Sequence, residues 1–242
     1  MDNLAPRIED RWPMDPARVR SIVLVLHGGQ ARSPVTVRRR TQLSYLRMVP
    51  FARLLHRRGG ARGLAVCIVR YRYRGWDEPD LHPVQDAQWA LAKLREQYPG
   101  APVVLLGHSM GARAALRVAD HPAVSAVCAL APWTVDGEPV QQLAGRSILI
   151  AHGNQEHMTD PRLSYRFAVR AKQVTSRVCR FDVLGDGHAM LRRAHDWTEL
   201  AARFVESELG LRQPDPLIED AMHRPAPEGL HVPLPTVLRG SR

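Results

Sequence analysis

Val103-Val104-Leu105-Leu106-Gly107-His108-Ser109-Met110-Gly111-Ala112-Arg113 joins two kinds of pattern across one tight turn. Its first four residues are apolar, two of them β-branched, and predict a short strand buried on both faces. From Ala112 to Ala119, strong helix formers carry apolar residues at helical spacing, which predicts a helix. Gly107-x-Ser109-x-Gly111 stands between the two. A turn this sharp leaves no room for side chains beside Ser109, so glycine on either side lets the backbone bend and neighbouring elements approach. Such a turn presents Ser109 at the end of the strand with its Oγ exposed, and the helix N-terminus behind it favours developing negative charge. Five residues of this form recur by chance. The strand before and the helix after give the motif its weight.

The same alternation runs through the chain. Largely apolar stretches at 21–26, 64–69, 124–130 and 147–151 read as further strands, as does 177–184. Between them a helix is expected from Leu43 to His56, stopped by Gly59-Gly60, with Pro50 near its start or at a kink. Pro83 opens another that Pro99-Gly100 ends, and two more are expected over about 162–171 and 189–209. Strands alternating with helices imply right-handed βαβ crossovers. The fold class is therefore α/β, a doubly wound, mostly parallel sheet with helices on both faces. Residues 1–20 are polar and proline-punctuated and carry no pattern. From Gln213, Pro214, Pro216, Pro225, Pro227, Pro233 and Pro235 scatter through a polar stretch. One domain over 1–212 and a Pro-rich extended or disordered tail over 213–242 are expected. Leu217, Ile218, Leu230, Val232, Leu234, Val237 and Leu238 are the tail residues able to dock.

With 242 residues, 45% of them apolar and 24% charged, the chain has the make-up of a globular α/β domain with a packed core. No apolar run approaches the length of a membrane-spanning helix, and the first residues lack the pattern of a signal peptide. Cys67, Cys128 and Cys179 each fall inside an expected strand. An odd number of such cysteines reads as buried free thiols, and the cytoplasm is the expected compartment. Net charge is +10, and of 34 lysines and arginines only Lys93 and Lys172 are lysines. The arginines are scattered, and the clusters Arg38-Arg39-Arg40 and Arg70-x-Arg72-x-Arg74 match no nucleic-acid motif. Solvated helix faces account for them, so neither a nucleic acid nor a membrane is expected as partner. No metal-type Cys/His spacing or phosphate-binding glycine loop is present, and no cofactor or metal is expected.

A serine hydroxyl is a poor nucleophile at neutral pH. It needs an imidazole to take its proton and a carboxylate to orient that imidazole. His188 is the strongest base candidate, in the loop Gly185-Asp186-Gly187-His188 just past a strand. For the acid, the loop after strand 147–151 offers Glu156 and Asp160. The chain order Ser…acid…His is the one this kind of turn uses. At the end of strand 21–26, His27-Gly28-Gly29-Gln30 lets backbone N–H groups turn toward a ligand near the sheet edge. His27, His108 and His152 read as loop supports.

His27-Gly28-Gly29, Gly107-His108-Ser109-Met110-Gly111, His152-Gly153-x-x-Glu156 and Gly185-Asp186-Gly187-His188 follow one another in register. By these four stretches the chain resembles the α/β-hydrolase superfamily over about residues 20–210. The resemblance implies Ser109 as nucleophile and His188 as general base. It also implies an oxyanion hole from the N–H groups of Met110 and Gly29, with Gln30 as alternative second donor. The family usually carries Asp where this chain has Glu156. Its His-Gly-x-x-acid spacing favours Glu156, with Asp160 as rival. Many relatives insert a helical cap where this chain has only the link 131–146. An open site is therefore expected, walled by loops bearing Tyr71, Tyr73, Trp76 and Trp133. Arg72 and Arg74 read either as binders of a carboxylate or phosphate, or as solvated surface. The expected activity is hydrolysis of a small-molecule carboxylic ester. A thioesterase or small-amide hydrolase would use the same residues, and a non-catalytic relative would keep the fold as a binding module.

Overall fold

The structure is a computed structural model that describes residues 5–37 and 42–236, so Arg38-Arg39-Arg40, Val237 and Leu238 lie outside the described residues. The apolar runs form β2 (Ser21–Leu26), β3 (Leu64–Arg70), β4 (Val103–His108), β5 (Val124–Leu130), β6 (Ser147–Gly153) and β7 (Val178–Val183). Two short strands that the apolar pattern does not show, β1 (Arg7–Asp10) and β8 (Val232–Pro233), complete one sheet in the order β1-β3-β2-β4-β5-β6-β7-β8. Every neighbouring pair is parallel except β1–β3.

Successive side chains of a strand point to opposite faces, and the two halves of the core follow that alternation. Ile22, Leu24, Leu26, Val103 and Leu105 pack under α2 (His82–Gln97), α3 (Met110–Arg117) and α4 (Pro161–Lys172). Val23, Val25, Val104 and Leu106 pack under α1 (Leu43–Gly59) and α5 (Ala194–Glu208). With both faces covered, β2, β4 and β6 are buried at every position. The chain leaves β2 for β3 on one side and returns to β4 on the other, which makes the carboxyl ends of β2 and β4 the switch point where such sheets bind ligands. His27-Gly28-Gly29 and Ser109 emerge there.

Three sequence expectations change. The last long helix begins at Ala194, not Ala189, because Asp186 holds the preceding loop: its carboxylate accepts the N–H of Gly187 (2.8 Å) and of Arg193 (2.9 Å) and the Trp197 indole N–H (3.1 Å). Pro50 lies inside α1 and not near its start. The third change concerns 213–242, which is no extended tail across its described part. Asp215 caps α6 (Pro216–His223) by accepting the Leu217 N–H at 3.1 Å, and β8 pairs with β7. Ile218, Ala221, Met222, Leu230, Val232 and Leu234 are buried, so the domain runs on past 212 to the last described residue. Pro216 at a helix start and Pro233 on an edge strand sit where proline is tolerated, so they punctuate the sequence without unfolding the chain.

Cys67, Cys128 and Cys179 are buried and unpaired. Among the described residues, no helix is long and apolar enough to cross a membrane. Many arginines face carboxylates within the domain, among them Arg58 with Glu199, Arg72 with Asp86 and Arg177 with Glu219.

Candidate active site

Ser109 stands between β4 and α3 at φ 56° and ψ −120°, a conformation that L-residues rarely adopt. Such strain costs of order 1–3 kcal/mol and persists only where the surroundings fix it. Here the Ser109 N–H donates to Leu130 O (3.0 Å), while its carbonyl accepts the N–H groups of Arg113 (3.1 Å) and Trp133 (3.2 Å). A Cβ on Gly111 would stand 2.3 Å from Leu26 O, so α3 presses on β2 at a distance only glycine allows.

The loops after β6 and β7 bring the other two groups to this serine. A Cβ on Gly153 would meet Asp186 O at 2.3 Å, so the two loops touch backbone to backbone. His188 Nε2 lies 2.9 Å from Ser109 Oγ, and His188 Nδ1 lies 2.8 Å from Glu156 Oε2. Glu156 divides its oxygens between two tasks. Oε2 accepts from His188, while Oε1 accepts the N–H groups of His157 (2.8 Å), Met158 (2.7 Å) and Thr159 (3.2 Å). Burial alone would push the Glu156 pKa up. Hydrogen bonds from His188 and the Met158 N–H overcome that and hold it well below the usual carboxylate range. Asp160 is placed elsewhere: it caps α4, accepting the Arg162 N–H at 2.8 Å.

The remaining histidines support this arrangement. His27 donates Nδ1–H to Gly28 O (2.7 Å) between the rings of Tyr45 and Tyr71, and burial lowers its pKa to about 4. His108 donates Nε2–H to the carbonyl of His188 (3.0 Å), and burial lowers its pKa to about 3. His152 lies 2.9 Å from Ser164 Oγ. That hydroxyl already donates to Pro161 O (2.9 Å), so His152 Nδ1 is the donor and its Nε2 accepts from Thr159 Oγ1 at 3.2 Å. Thr159 also lies 3.4 Å from His188 Nδ1, a contact that sequence spacing gives no reason to expect.

Of the two backbone donors proposed after β2, Gln30 is committed, since its N–H donates to Arg74 O at 2.8 Å. The N–H groups of Gly29 and Met110 have no acceptor among the described residues. The aromatic wall is thinner than expected. Tyr71 and Trp76 are buried in the core and Tyr73 packs on His82, which leaves half-buried Trp133 beside Ser109. Arg72 is bound to Asp86 at 2.6 Å, so its charge is already paired within the domain. Arg113 is an unanticipated member: its guanidinium lies 4.2 Å over Trp76 and 4.9 Å from Trp133, and is ion-paired at 2.6 Å with Glu138, all but Trp133 buried. It ties α3 to the link 131–146, which holds one short turn (Gln141–Leu143) and no cap helix. Among the described residues, no group of three or more His, Cys, Asp and Glu is set to hold a metal.

An imidazole between a hydroxyl and a carboxylate can take a proton from the one and share its positive charge with the other. A serine so placed can attack a carbonyl. No curated protein matches the chain in sequence. Solved structures similar in fold include a thermophilic esterase from Thermogutta terrifontis with butyrate bound (19% identity over 87% of this chain and 91% of that one, TM-score 0.63). The same enzyme is also known phosphonylated by sarin. A putative alpha/beta hydrolase from Agrobacterium tumefaciens (16% identity, 87% and 94% covered, TM-score 0.62) is similar too. So is an alpha-beta serine hydrolase homologue from Coxiella burnetii (17% identity, 83% and 90% covered, TM-score 0.60). These likenesses carry the fold. In sequence, residues 22–240 match the profile of the alpha/beta hydrolase family, and with the tight turn at Ser109, the sheet order and the loops described above, the chain belongs to that family.

Proposed function

We propose that the protein is a serine hydrolase that cleaves a small-molecule carboxylic ester through an acyl-enzyme on Ser109. The observation that carries this reading is the hydrogen-bonded chain from Ser109 Oγ through His188 to Glu156. His188 Nε2 takes the hydroxyl proton as Oγ attacks the ester carbonyl. Glu156 fixes the tautomer with Nδ1–H and stabilises the imidazolium. The carbonyl oxygen gains negative charge and turns to the N–H groups of Met110 and Gly29, the first of them at the positive end of α3. His188 then returns the proton to the leaving alcohol, and a water repeats the sequence to free the acid and regenerate Ser109. A thioester would pass through the same steps. The butyrate held by the Thermogutta esterase suggests short acyl chains as first substrates to try. Because Cys67, Cys128 and Cys179 are buried and unpaired, we place this activity in a reducing compartment, the cytoplasm.

The test is hydrolysis of p-nitrophenyl butyrate. The wild-type protein should turn it over with a burst of one nitrophenol per active site, and Ser109→Ala should lose the burst and retain only residual catalysis. Wild-type turnover in the Ala variant would overturn the assignment.

A further inference from the structure

Arg47 is the charged group that the proposed reaction leaves without a task. It stands on the first turns of α1, at the nucleophile's side of the sheet: a methyl group on Gly28 would touch Ser109 Cβ at 3.3 Å and Ser44 Cβ at 3.5 Å. Arg47 follows Ser44 by three residues, on the same helix face. It lines a cavity of about 210 Å³ together with Leu46, Phe51, Thr198 and Met190, two residues beyond His188.

Several half-buried arginines elsewhere in the domain face carboxylates, as Arg58, Arg70, Arg72 and Arg193 do. Arg47 is half-buried and has no hydrogen-bond or ion-pair partner among the described residues. Burial lowers its pKa against the charge of Asp186, the carboxylate it feels. Asp186 is itself buried, with both oxygens taken up by the N–H groups of Gly187, Arg193 and Trp197. The first turn of α1 adds positive potential, for it holds no acid and its N-cap, Gln42, caps no N–H with its side chain. A guanidinium offers five N–H donors in a planar fork suited to carboxylate or phosphate. With none of them used by the described residues and a cavity beside it, this fork is free to take an anion from outside the chain.

We propose that Arg47 forms an anion subsite beside Ser109, so that the preferred esters carry a carboxylate or phosphate on their acyl or alcohol part. The catalytic consequence rests on the serine hydrolase reading above; the binding does not.

Two matched pairs separate the acyl from the alcohol side. The first sets the p-nitrophenyl monoester of adipic acid, with a free carboxylate on the acyl chain, against p-nitrophenyl hexanoate. The second sets 4-acetoxybenzoate, with the carboxylate on the alcohol, against phenyl acetate. In at least one pair the wild-type protein should favour the anionic ester in kcat/KM. Arg47→Gln should lower that anionic-to-neutral ratio by about 10- to 100-fold, the range of a lost charge-assisted hydrogen bond, mainly through KM. A ratio unmoved in both pairs, or an equal loss on both members of each, overturns the subsite. Binding of adipate to Ser109→Ala protein by calorimetry is the second measurement. Arg47-dependent binding without any ester turnover keeps the subsite and sinks the hydrolase reading. Turnover without discrimination and without adipate binding sinks the subsite alone.

Discussion

Replacing Glu156 by Gln separates the two tasks of its carboxylate. One oxygen of the Gln amide can still accept the N–H groups of His157, Met158 and Thr159, so the loop that presents the residue keeps its three hydrogen bonds. The amide nitrogen then faces His188 Nδ1, where Oε2 now stands at 2.8 Å. Being a donor, it favours the tautomer with the proton on Nε2, directed at Ser109 Oγ 2.9 Å away, and that nitrogen can no longer take the serine's proton. It also removes the charge that balances the imidazolium. Loss of this function in a serine triad costs about 10⁴-fold in kcat, roughly 5 kcal/mol at 1.36 kcal/mol per decade. We expect Glu156→Gln to lower kcat on p-nitrophenyl butyrate by roughly two to four decades, the range about that precedent, with Tm nearly unchanged. Glu156→Ala should lose as much activity and also lower Tm, since each orphaned backbone hydrogen bond costs about 1 kcal/mol. Asp160→Asn should keep most of the activity, because Asn caps α4 about as well as Asp. Steady-state kinetics and thermal melts of the three variants decide the matter. Activity lost in Asp160→Asn and kept in Glu156→Gln would refute the reasoning.

Deleting residues 214–242 should abolish cooperative folding by circular dichroism. It removes α6 and β8 and the burial of Ile218, Met222, Leu230, Val232 and Leu234, each worth about 1.5–3 kcal/mol; an unchanged melt would mean that these contacts contribute nothing. His27 and His108 are buried with pKa values of about 4 and about 3, below the ordinary 6.5. The unfolded chain therefore binds more protons below pH 6.5, and stability should fall as pH drops from there toward 4, by up to about 1.4 kcal/mol per pH unit for each. Urea titrations across that window check it, and His27→Asn should flatten the slope by up to one proton. Gly29→Ala would place a Cβ 2.3 Å from Arg74 O and 2.4 Å from Met110 Cε. The displaced Gly29 N–H should cost about 10²–10³-fold in kcat, the scale of a lost oxyanion donor; undiminished turnover would remove Gly29 from that role.

What the sequence makes legible is what local physics repeats. Runs such as 22–26 and 103–106 are apolar throughout because helices cover both faces of the sheet, so the strands and their mostly parallel arrangement can be read from residue type and alternation with helices. The glycines about Ser109 are legible for a like reason, since backbone contacts of this kind exclude every side chain. Choices that hang on distant partners are not. Glu156 and Asp160 are both acids in one loop, and only the fold turns the first to His188 and the second onto α4. Arg113 and Glu138, 25 residues apart, meet only once the link 131–146 folds over α3. Tyr71 and Trp76 sit in a basic, loop-like stretch, yet both are core. β1 is one charged edge strand of four residues and β8 only two residues long, too short for periodicity to show. The Arg47 cavity lies between a helix face and a loop far from it in sequence, so nothing in either stretch marks it.

The central claim is that Ser109 is an activated nucleophile. Reaction with a fluorophosphonate probe, followed by mass spectrometry of the digested protein, tests it most directly, because only a serine with a base poised beside it attacks phosphorus at an appreciable rate. The account predicts a single stoichiometric adduct on the peptide carrying Ser109, absent from Ser109→Ala and strongly slowed in Glu156→Gln. An unlabelled wild-type protein, or an adduct on any other residue, would contradict it.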